Sequence, residues 1–405
     1  MAKGKKAQGR RSNNEGSVTY CKERKKWRGQ YTYTDPFTGK KRRKSVSDSD
    51  TKQEAQRKVR EQLAAIDAGT YFSPDKMTLE AWLNKWSTDY LVQIKKTTAN
   101  GYRSAARIHI IPALGSKQLS QITPNDVQTF INDLHTTPTE KTGEPLSRKT
   151  IKNIIGTLSS ALDVAEQNGL IRKNPAKGRG IKLPLPDIDD EEAISPLEGE
   201  EITAFLQAIK GCSSECLFYV ALFTGMRQTE LTGLSWNNVD FDRGEITIAQ
   251  QLAYDKEAHE YYIDTPKHSK RRTIKPPARV MEALRTVKAQ QNLWKLRVGS
   301  AWDTRFGDLV FTNELGKHKS PSVLAHQFKA IMDRIGAGGH RFHDLRHTYA
   351  TIAIKGGTDL FTLSRFMGHS DIKTTTKIYG HLIDEMRSTA ANIMDAAISE
   401  YSRNA

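Results

Sequence analysis

The sequence predicts a multidomain protein: a small three-stranded sheet plus one helix, then an all-α domain, then a mixed α/β, mainly α, domain. Three observations predict this order. Residues 1–60 are basic and hold short runs rich in tyrosine, threonine and valine; residues 77–176 show helical periodicity; and residues 177–194 are proline-rich without periodicity. We therefore expect domains at 1–75, 76–176 and 195–380, a linker at 177–194 and a helical tail at 381–405.

The charge of the chain predicts an anionic partner. The 405 residues carry 62 Lys+Arg against 46 Asp+Glu, a formal net charge of +16. Residues 1–60 hold 19 basic and 6 acidic residues, so +13 of that charge lies there. Such clustering is typical of proteins that bind nucleic acid or an anionic membrane surface, and a solvated basic tail is the alternative. With 37% hydrophobic residues the chain can form cores and is not a disordered protein.

Features of membrane and secreted proteins are not found in the sequence. No stretch approaches the roughly 18 apolar residues of a membrane span. The start "MAKGKKAQGRRSNNEG" has no apolar core of a signal peptide. Three cysteines, Cys21, Cys212 and Cys216, are too few for a disulfide framework. We expect a cytoplasmic protein without membrane association.

The first segment, "SVTYCKERKKWRGQYTYTDPFTGKKRRKSVS", predicts three strands with a turn at Asp35–Gly39. A helix follows at Thr51–Ala68, with a capping box of Thr51 and Glu54 and a stop at Gly69. Its apolar stripe comprises Ala55, Val59, Leu63 and Ile66. We expect the other face of the sheet to enter a DNA groove with Arg28, Gln30, Lys40, Arg42 and Lys44. A merely solvated basic sheet is the alternative.

Residues 77–176 predict successive helices with short breaks. Thr123, Pro124 and Asp126 mark one helix start. Another helix has an apolar stripe of Ile151, Ile154, Ile155, Leu158 and Leu162. Seven basic residues of this region are candidates for contacts with DNA phosphates: Lys95, Lys96, Arg103, Arg107, Arg148, Lys149 and Lys152. The alternative is that they are exposed for solubility alone. After the linker, "SPLE" predicts a helix start with Ser195 as cap, Pro196 as first residue and Glu198 in a capping box.

The stretch "GHRFHDLRHTYAT", Gly339 to Thr351, places His343 and His347 on one face of a helix. This spacing could be half of a zinc site. A zinc protease, however, has glutamate after its first histidine, whereas here Asp344 follows and the charged Arg346 lies between the histidines. No third ligand is obvious. We therefore predict no metal but an anion site with Arg346 as its main ligand, and His347 as a packed or helix-capping residue.

Three further stretches support an anion site. "FTGMRQTELTGLSW" places Arg227 after a glycine, with Glu230 one turn later. "YYIDTPKHSKRRTI" predicts two strands joined by a turn with Lys267 at its tip. "LSRFMGHSDIKTTTKIYGHL" ends a helix at Gly368, exposes His369 and places Tyr379 ten residues on. Singly, Arg227 could form a surface salt bridge with Glu230, and Tyr379 could be a core aromatic.

In this order the stretches resemble the tyrosine recombinases, or phage-type integrases, strongly over residues 195–380. The resemblance implies a catalytic domain of that type, with Tyr379 as nucleophile, and the set Arg227, Lys267, His343, Arg346, His369 and Tyr379. Lys270 in the same turn is the alternative to Lys267. Residues 76–176 resemble the core-binding domain of the family. Residues 1–75 resemble the arm-binding domain found in integrases of temperate phages and conjugative transposons.

The chemistry of phosphoryl transfer explains these residue types. Two arginines bind the non-bridging oxygens of a phosphodiester bidentately and stabilise the charge of its pentavalent transition state. Tyrosine has an ordinary pKa of about 10 and needs help to attack at neutral pH; the resemblance implies His343 as proton acceptor. A lysine can protonate the leaving 5′ oxygen. Neither a divalent metal nor ATP is required, so no cofactor is expected.

The resemblance implies a site-specific recombinase that forms a covalent 3′-phosphotyrosine and integrates or excises a mobile element. Its expected partners are double-stranded DNA with core and arm-type sites, three further copies in a tetramer, and an accessory DNA-bending protein and excisionase. The expected location is the nucleoid of a bacterial host. The alternatives are a type IB topoisomerase and a non-catalytic DNA-binding protein. The predicted helical tail has an apolar stripe of Ile383, Met386, Ala390 and Ile393. We expect this stripe to pack either on a neighbouring subunit or on its own chain.

Overall fold

The computed structural model describes residues 16–34, 41–67, 77–140, 142–186, 195–266, 271–369 and 371–380. The chain divides into two compact units, Met1–Asp187 and Ile188–Ala405. Some predictions lie outside the described residues. They concern the turn at 35–39, the residues Lys40, Gly69, Lys267 and Lys270, and the tail after 380.

The N-terminal sheet has the predicted three strands. They are β1 (Ser17–Cys21), β2 (Lys26–Thr34) and β3 (Lys41–Ser45), antiparallel in that order. Helix α1 (Lys52–Asp67) packs on the sheet through the predicted stripe, with Ala55 and Val59 fully or nearly fully buried. At its start the Glu54 N–H donates to Thr51 Oγ1 at 3.2 Å. The sheet and helix therefore form a small core of their own.

The register of β2 and β3 corrects the prediction of one basic face. Lys44 pairs with Tyr31 and Arg42 pairs with Tyr33, and directly opposed residues point to the same side of a sheet. Because both tyrosines are buried on the side of α1, Arg42 and Lys44 lie on that side as well. The opposite face carries the predicted Arg28 and Gln30, together with Arg43, which is not among the predicted residues.

Residues 77–176 are mainly helical, as predicted. The helices are α2 (Leu79–Asp89), α3 (Lys96–Ala105), α4 (Ile111–Leu114), α5 (Pro124–Thr136) and α6 (Arg148–Gln167), and one π-helical turn, Ala106–Ile110, joins α3 to α4. Thr123 and Asp126 form a capping box with Pro124 in the first turn, which confirms that helix start. The predicted stripe of α6 is buried throughout. The Trp82 indole N–H donates to the Ala161 carbonyl at 2.9 Å, which ties α2 to α6.

The second unit contains eight helices and five strands among its described residues. The helices are α7 (Gly199–Ala208), α8 (Glu215–Thr224), α9 (Gln228–Thr232), α10 (Ala278–Val298), α11 (Pro321–Arg334), α12 (Asp344–Lys355), α13 (Leu360–Met367) and α14 (372–380). The strands are β4 (Val239–Asp240), β5 (Glu245–Ile248), β6 (Gln251–Asp255), β7 (Glu260–Asp264) and β8 (Arg272–Ile274). Phe205, Phe218, Phe328 and Phe342 form the aromatic centre of its core. Among the described helices, none has the length and apolar character needed to cross a membrane.

Two local predictions for the second unit are wrong. The helix predicted to begin at Pro196 begins three residues later, at Gly199, and the Glu201 carboxylate accepts the Glu198 N–H at 2.8 Å. The Leu197 N–H instead donates to Thr348 Oγ1 at 2.8 Å, so a tertiary contact holds this residue outside the helix. The strands around Lys267 do not pair with each other: β7 pairs with β6, and β8 pairs with β5.

Candidate active site

Arg346 lies in the first turn of α12 and is held from two sides. It is 3% exposed, and its Nη1 and Nη2 donate to the carbonyls of Gly225 at 2.5 Å and Met367 at 2.6 Å. Burial lowers the pKa of Arg346 to about 9, so the guanidinium stays charged at neutral pH. Two carbonyls from distant parts of the chain therefore fix the plane and direction of a buried positive charge.

Gly225 makes this contact possible. It ends α8 with a left-handed φ of 61°, and a Cβ at this position would lie 2.4 Å from the Tyr349 ring. Only glycine meets both conditions without strain. The turn brings Arg227 to the start of α9, two residues after the carbonyl that Arg346 binds. The "TGMR" stretch is thus built to place both arginines at one site.

Glu230 is the buried centre of an ion-pair network. It is fully buried and accepts from Arg227 Nη1 at 2.8 Å and from Arg272 Nη1 and Nη2 at 2.9 and 2.6 Å. Burial alone would raise the pKa of Glu230, but the hydrogen bonds and charges of Arg272 and Arg227 outweigh burial and lower this pKa to about 2. Arg227 and Glu230 do form a salt bridge, as the alternative interpretation of Arg227 stated. It is not a surface salt bridge, because Glu230 has no contact with solvent.

Three arginines meet the C-terminal end of α13. Their donors reach three successive carbonyls: Arg272 to Phe366 at 2.8 Å, Arg346 to Met367 at 2.6 Å and Arg227 to Gly368 at 3.2 Å. The end of a helix carries partial negative charge, which favours cations at this place. Gly368 ends the helix as predicted, with φ 67°, and a Cβ there would lie 2.9 Å from Arg272 Nη1. The main-chain carbonyls at and just before the "MGH" stretch therefore accept hydrogen bonds from the three arginines.

His343 and His369 lie beside this cluster, and both have a lowered pKa. His343 precedes α12, and its ring meets the His347 ring edge-on with 5.1 Å between the centroids. Desolvation by the surrounding atoms is the largest cause of its lowered pKa, and the charges of His347 and Arg346 add to it. His369 is half-buried rather than exposed, and its Nδ1 lies 2.7 Å from Thr375 Oγ1. Burial, followed by the charge of Arg346, lowers the pKa of His369 to about 3. The lowered pKa values favour the neutral imidazole in both residues, which can donate or accept hydrogen bonds.

Tyr379 lies on α14 and is buried. It is 1% exposed and packs in a cluster with Ala350, Ile354, Leu363 and Met367. Its hydroxyl lies 2.7 Å from Nδ1 of His347. Burial raises the pKa of Tyr379, and the charge of Arg346 opposes that rise. The interpretation of Tyr379 as a core aromatic therefore agrees with its packing, while its hydroxyl lies within the electrostatic reach of the arginine.

The structure brings most of the selected site residues together. Arg227, Arg346 and His369 gather at the end of α13, and Tyr379 packs against Met367 of the same helix. Three contributors were missed as site residues: Glu230, Arg272 and His347. Strand alternation is the signal for Arg272, because it lies two residues before the buried Ile274 and so points to the same side. No comparable signal pairs His347 with Tyr379.

The selected basic residues of the first unit are spread over its surface. Arg28 is partly buried, and its Nε donates to Asp48 Oδ1 at 3.0 Å. Arg148 Nε donates to the Pro184 carbonyl at 2.8 Å, and Arg103 Nη1 donates to the Asn100 side chain at 3.3 Å. Lys95 is half-buried, and the remaining selected side chains of the helical region are exposed: Lys96, Arg107, Lys149 and Lys152.

The fold and the site define the class of enzymes that exchange DNA strands through a tyrosine, and comparisons with known proteins identify the family. The pattern of the phage integrase family matches residues 195–386, and that of its N-terminal SAM-like domain matches residues 78–135. A XerC-like tyrosine recombinase of Caldanaerobacter subterraneus subsp. tengcongensis is 31% identical over 359 residues, 85% of this chain and 90% of that protein. The chain belongs to the phage integrase family and is a tyrosine recombinase.

Two mobile-element proteins are also similar to this chain. The transposase from transposon Tn916 of Enterococcus faecalis is 26% identical over 299 residues, 71% of this chain and 70% of that protein. The structure of the Tn1549 transposon integrase in complex with transposon right end DNA matches with a TM-score of 0.63 at 25% identity. The match covers 78% of this chain and 100% of that one.

Proposed function

We propose that this recombinase cuts one DNA strand with Tyr379, keeps the 3′-phosphate as a phosphotyrosine, and thereby integrates or excises a mobile element. One observation carries the proposal: Arg227, Arg346 and the nucleophile are all gathered around the last turn of α13. A guanidinium has five N–H donors, so each arginine can hold a main-chain carbonyl and a phosphate oxygen together. Similarity to the Tn916 and Tn1549 proteins supports a mobile element as the substrate.

In the proposed reaction, the Tyr379 oxygen attacks phosphorus and loses its proton while the bond to the 5′ oxygen breaks. Arg227 and Arg346 stabilise the charge on the non-bridging oxygens. His343 and His369 donate hydrogen bonds or accept the tyrosine proton, and Lys267 or Lys270 protonates the leaving oxygen. A 5′-hydroxyl of the partner duplex then attacks the phosphotyrosine and releases Tyr379. The number of phosphodiester bonds is unchanged, so the reaction needs no ATP.

A joining assay with two differently labelled duplexes tests this proposal. The full-length protein is expected to yield a strand that carries both labels, and a chelator is expected to leave the yield unchanged. Cross-linking on a Holliday junction is expected to capture four protein copies. If the protein only relaxes supercoiled DNA and reseals the original strand, it acts as a type IB topoisomerase. If it binds DNA without cutting, it is a non-catalytic binding protein.

We also propose that residues 1–75 bind an arm-type site and residues 76–176 bind the core site beside the cut. The side of the sheet opposite α1 is the groove-reading face, with Arg28, Gln30 and Arg43. The register supports this assignment, because α1 covers the side of Arg42 and Lys44. We place the enzyme on the nucleoid in the cytoplasm of a bacterial host, as a tetramer on DNA with a DNA-bending protein and an excisionase as accessory partners.

Neighbouring arginines on β3 test the groove-reading face. Arg43→Ala is expected to weaken binding to the arm-type site roughly tenfold, because a good bidentate base contact contributes about 1–3 kcal/mol of discrimination. Arg42→Ala removes the same charge one position away, on the side of α1, and is expected to have a smaller effect. Footprinting of the full-length protein on the mobile-element ends measures both. Equal losses would assign the arginines to general phosphate attraction instead.

A further inference from the structure

The hydroxyl of Tyr379 is not accessible to DNA in this structure. The side chain is 1% exposed, and the atoms around it belong mainly to an apolar cluster on α12 and α13. A phosphodiester is larger than a water molecule and strongly hydrated, so it cannot reach an oxygen that water barely reaches. The nucleophile must therefore leave this position before it attacks.

Two hydrogen bonds with histidines hold the helix that carries the nucleophile. Thr375 is fully buried, with Oγ1 2.7 Å from Nδ1 of His369, and four residues later the Tyr379 hydroxyl lies 2.7 Å from Nδ1 of His347. Residues four apart share one face of a helix, so both bonds fasten the same face of α14. The first bond joins residues six apart, whereas the second joins residues 32 apart in the chain.

His347 satisfies a group that would otherwise be costly to bury. A phenol hydroxyl in an apolar cluster loses its water and needs a protein partner. His347 is half-buried one position after Arg346 in α12, and that buried arginine is anchored by two main-chain carbonyls. The helix that carries the phosphate ligand therefore also carries the partner of the hydroxyl, so the position of one constrains the position of the other.

We propose that His347 is a positioning residue that holds the Tyr379 hydroxyl in a closed resting state, and that productive DNA binding must break this hydrogen bond. The proposal rests on the proposed function, in which Tyr379 is the nucleophile, and deepens it by naming what keeps the nucleophile inactive without DNA.

Three variants test the proposal. His347→Leu replaces the imidazole with an apolar side chain of similar size and so removes the nitrogen that contacts the hydroxyl. His347→Asn places an amide near the Nδ1 position and restores a hydrogen-bonding group there. His326→Leu makes the same exchange at an exposed histidine of α11 and serves as the matched control.

The first measurement needs no DNA. Tetranitromethane nitrates accessible tyrosines, and mass spectrometry of the peptides reports Tyr379 separately from Tyr349, a half-buried tyrosine packed against the same cluster. Nitration of Tyr379 is expected to rise roughly fivefold in His347→Leu, as the loss of one net hydrogen bond implies. His347→Asn is expected to restore the parental rate, and Tyr349 is expected to react equally in all variants. Equal Tyr379 nitration in the parent and His347→Leu would overturn the proposal.

The second measurement is the rate of covalent capture on a suicide DNA substrate in a single turnover. His347→Leu is expected to capture a lone half-site severalfold faster than the parent, since the closed state is less populated. Slower capture in His347→Leu would overturn the resting-state role, and failure of His347→Asn to restore the rate would make His347 a proton acceptor, because an amide does not take up a proton. If the parent forms no covalent complex, the proposed function fails, while the nitration experiment still decides the position of the hydroxyl. If His347→Leu raises Tyr349 nitration too, His347→Phe, which keeps a ring, replaces it in both measurements.

Discussion

Tyr379→Phe is expected to abolish covalent capture of DNA, by at least about 10³-fold, because loss of a nucleophile removes the chemical step itself. The substitution removes one oxygen and keeps the ring that packs against Ala350, Ile354 and Leu363. The cost in folding free energy is the hydrogen bond to His347, about 1 kcal/mol. Folding and DNA affinity are therefore expected to survive while the denaturant-resistant complex disappears.

Tyr349→Phe is the matched control for this prediction. Tyr349 is half-buried and packs against the same cluster, so its substitution removes a hydroxyl beside the same apolar residues. Suicide substrates with a nick near the cut trap the intermediate, and gel electrophoresis in denaturant measures it. We expect parental capture by Tyr349→Phe and none by Tyr379→Phe. A Tyr379→Phe protein that still traps DNA would show that another residue is the nucleophile.

Arg346→Lys is expected to lower the rate of cleavage by about 10²- to 10³-fold, the effect typical of losing a preorganised donor to the transition state. Lysine keeps the positive charge, but its single ammonium cannot bridge the Gly225 and Met367 carbonyls in the fixed plane of a guanidinium. Both carbonyls would compete for one group that must also bind phosphate. Unfolding free energy is expected to fall by about 1–3 kcal/mol, because a buried acceptor loses its partner.

Affinity for the core site separates these effects from a general loss of binding. Because contacts elsewhere on the protein supply most of the attraction to phosphates, we expect core-site affinity to change by less than threefold in Arg346→Lys. Arg365→Lys makes the same exchange at an exposed arginine of α13 and is expected to cleave at the parental rate. Near-parental cleavage by Arg346→Lys would contradict the assignment of Arg346 as a phosphate ligand.

The sequence predicted local structure well wherever one element carries its own signal. The start of α5 depends on Thr123, Pro124 and Asp126, which lie within four positions of each other, and the structure has that capping box. The end of α13 at Gly368 depends likewise on one glycine. The start of α7 was wrong, because Leu197 bonds to Thr348, a residue 151 positions away, and no local pattern encodes that contact.

The chemical types of the site were predictable from sequence, but their contacts were not. Motif spacing selected Arg227, Arg346, His369 and Tyr379, which the structure gathers around the end of α13. The same spacing did not show that Glu230 is a buried centre shared by two arginines. The resemblance implied His343 as the acceptor of the tyrosine proton, and in the structure the tyrosine hydroxyl lies 2.7 Å from Nδ1 of His347.

The sequence by itself determined most of the helices and strands, and the arginines, histidines and tyrosine available for chemistry, because periodicity, caps and motifs are properties of neighbouring residues. Only the tertiary structure decided which strands pair, so that β7 joins β6 rather than β8, and which face of the N-terminal sheet α1 covers. It alone decided that three arginines meet at the end of α13 and that the tyrosine hydroxyl is buried against His347. The physical reason is that pairing, burial and charge compensation depend on which residues meet in space, and most of these contacts join residues well separated in the chain, such as Arg227 with Gly368 and Arg272 with Phe366.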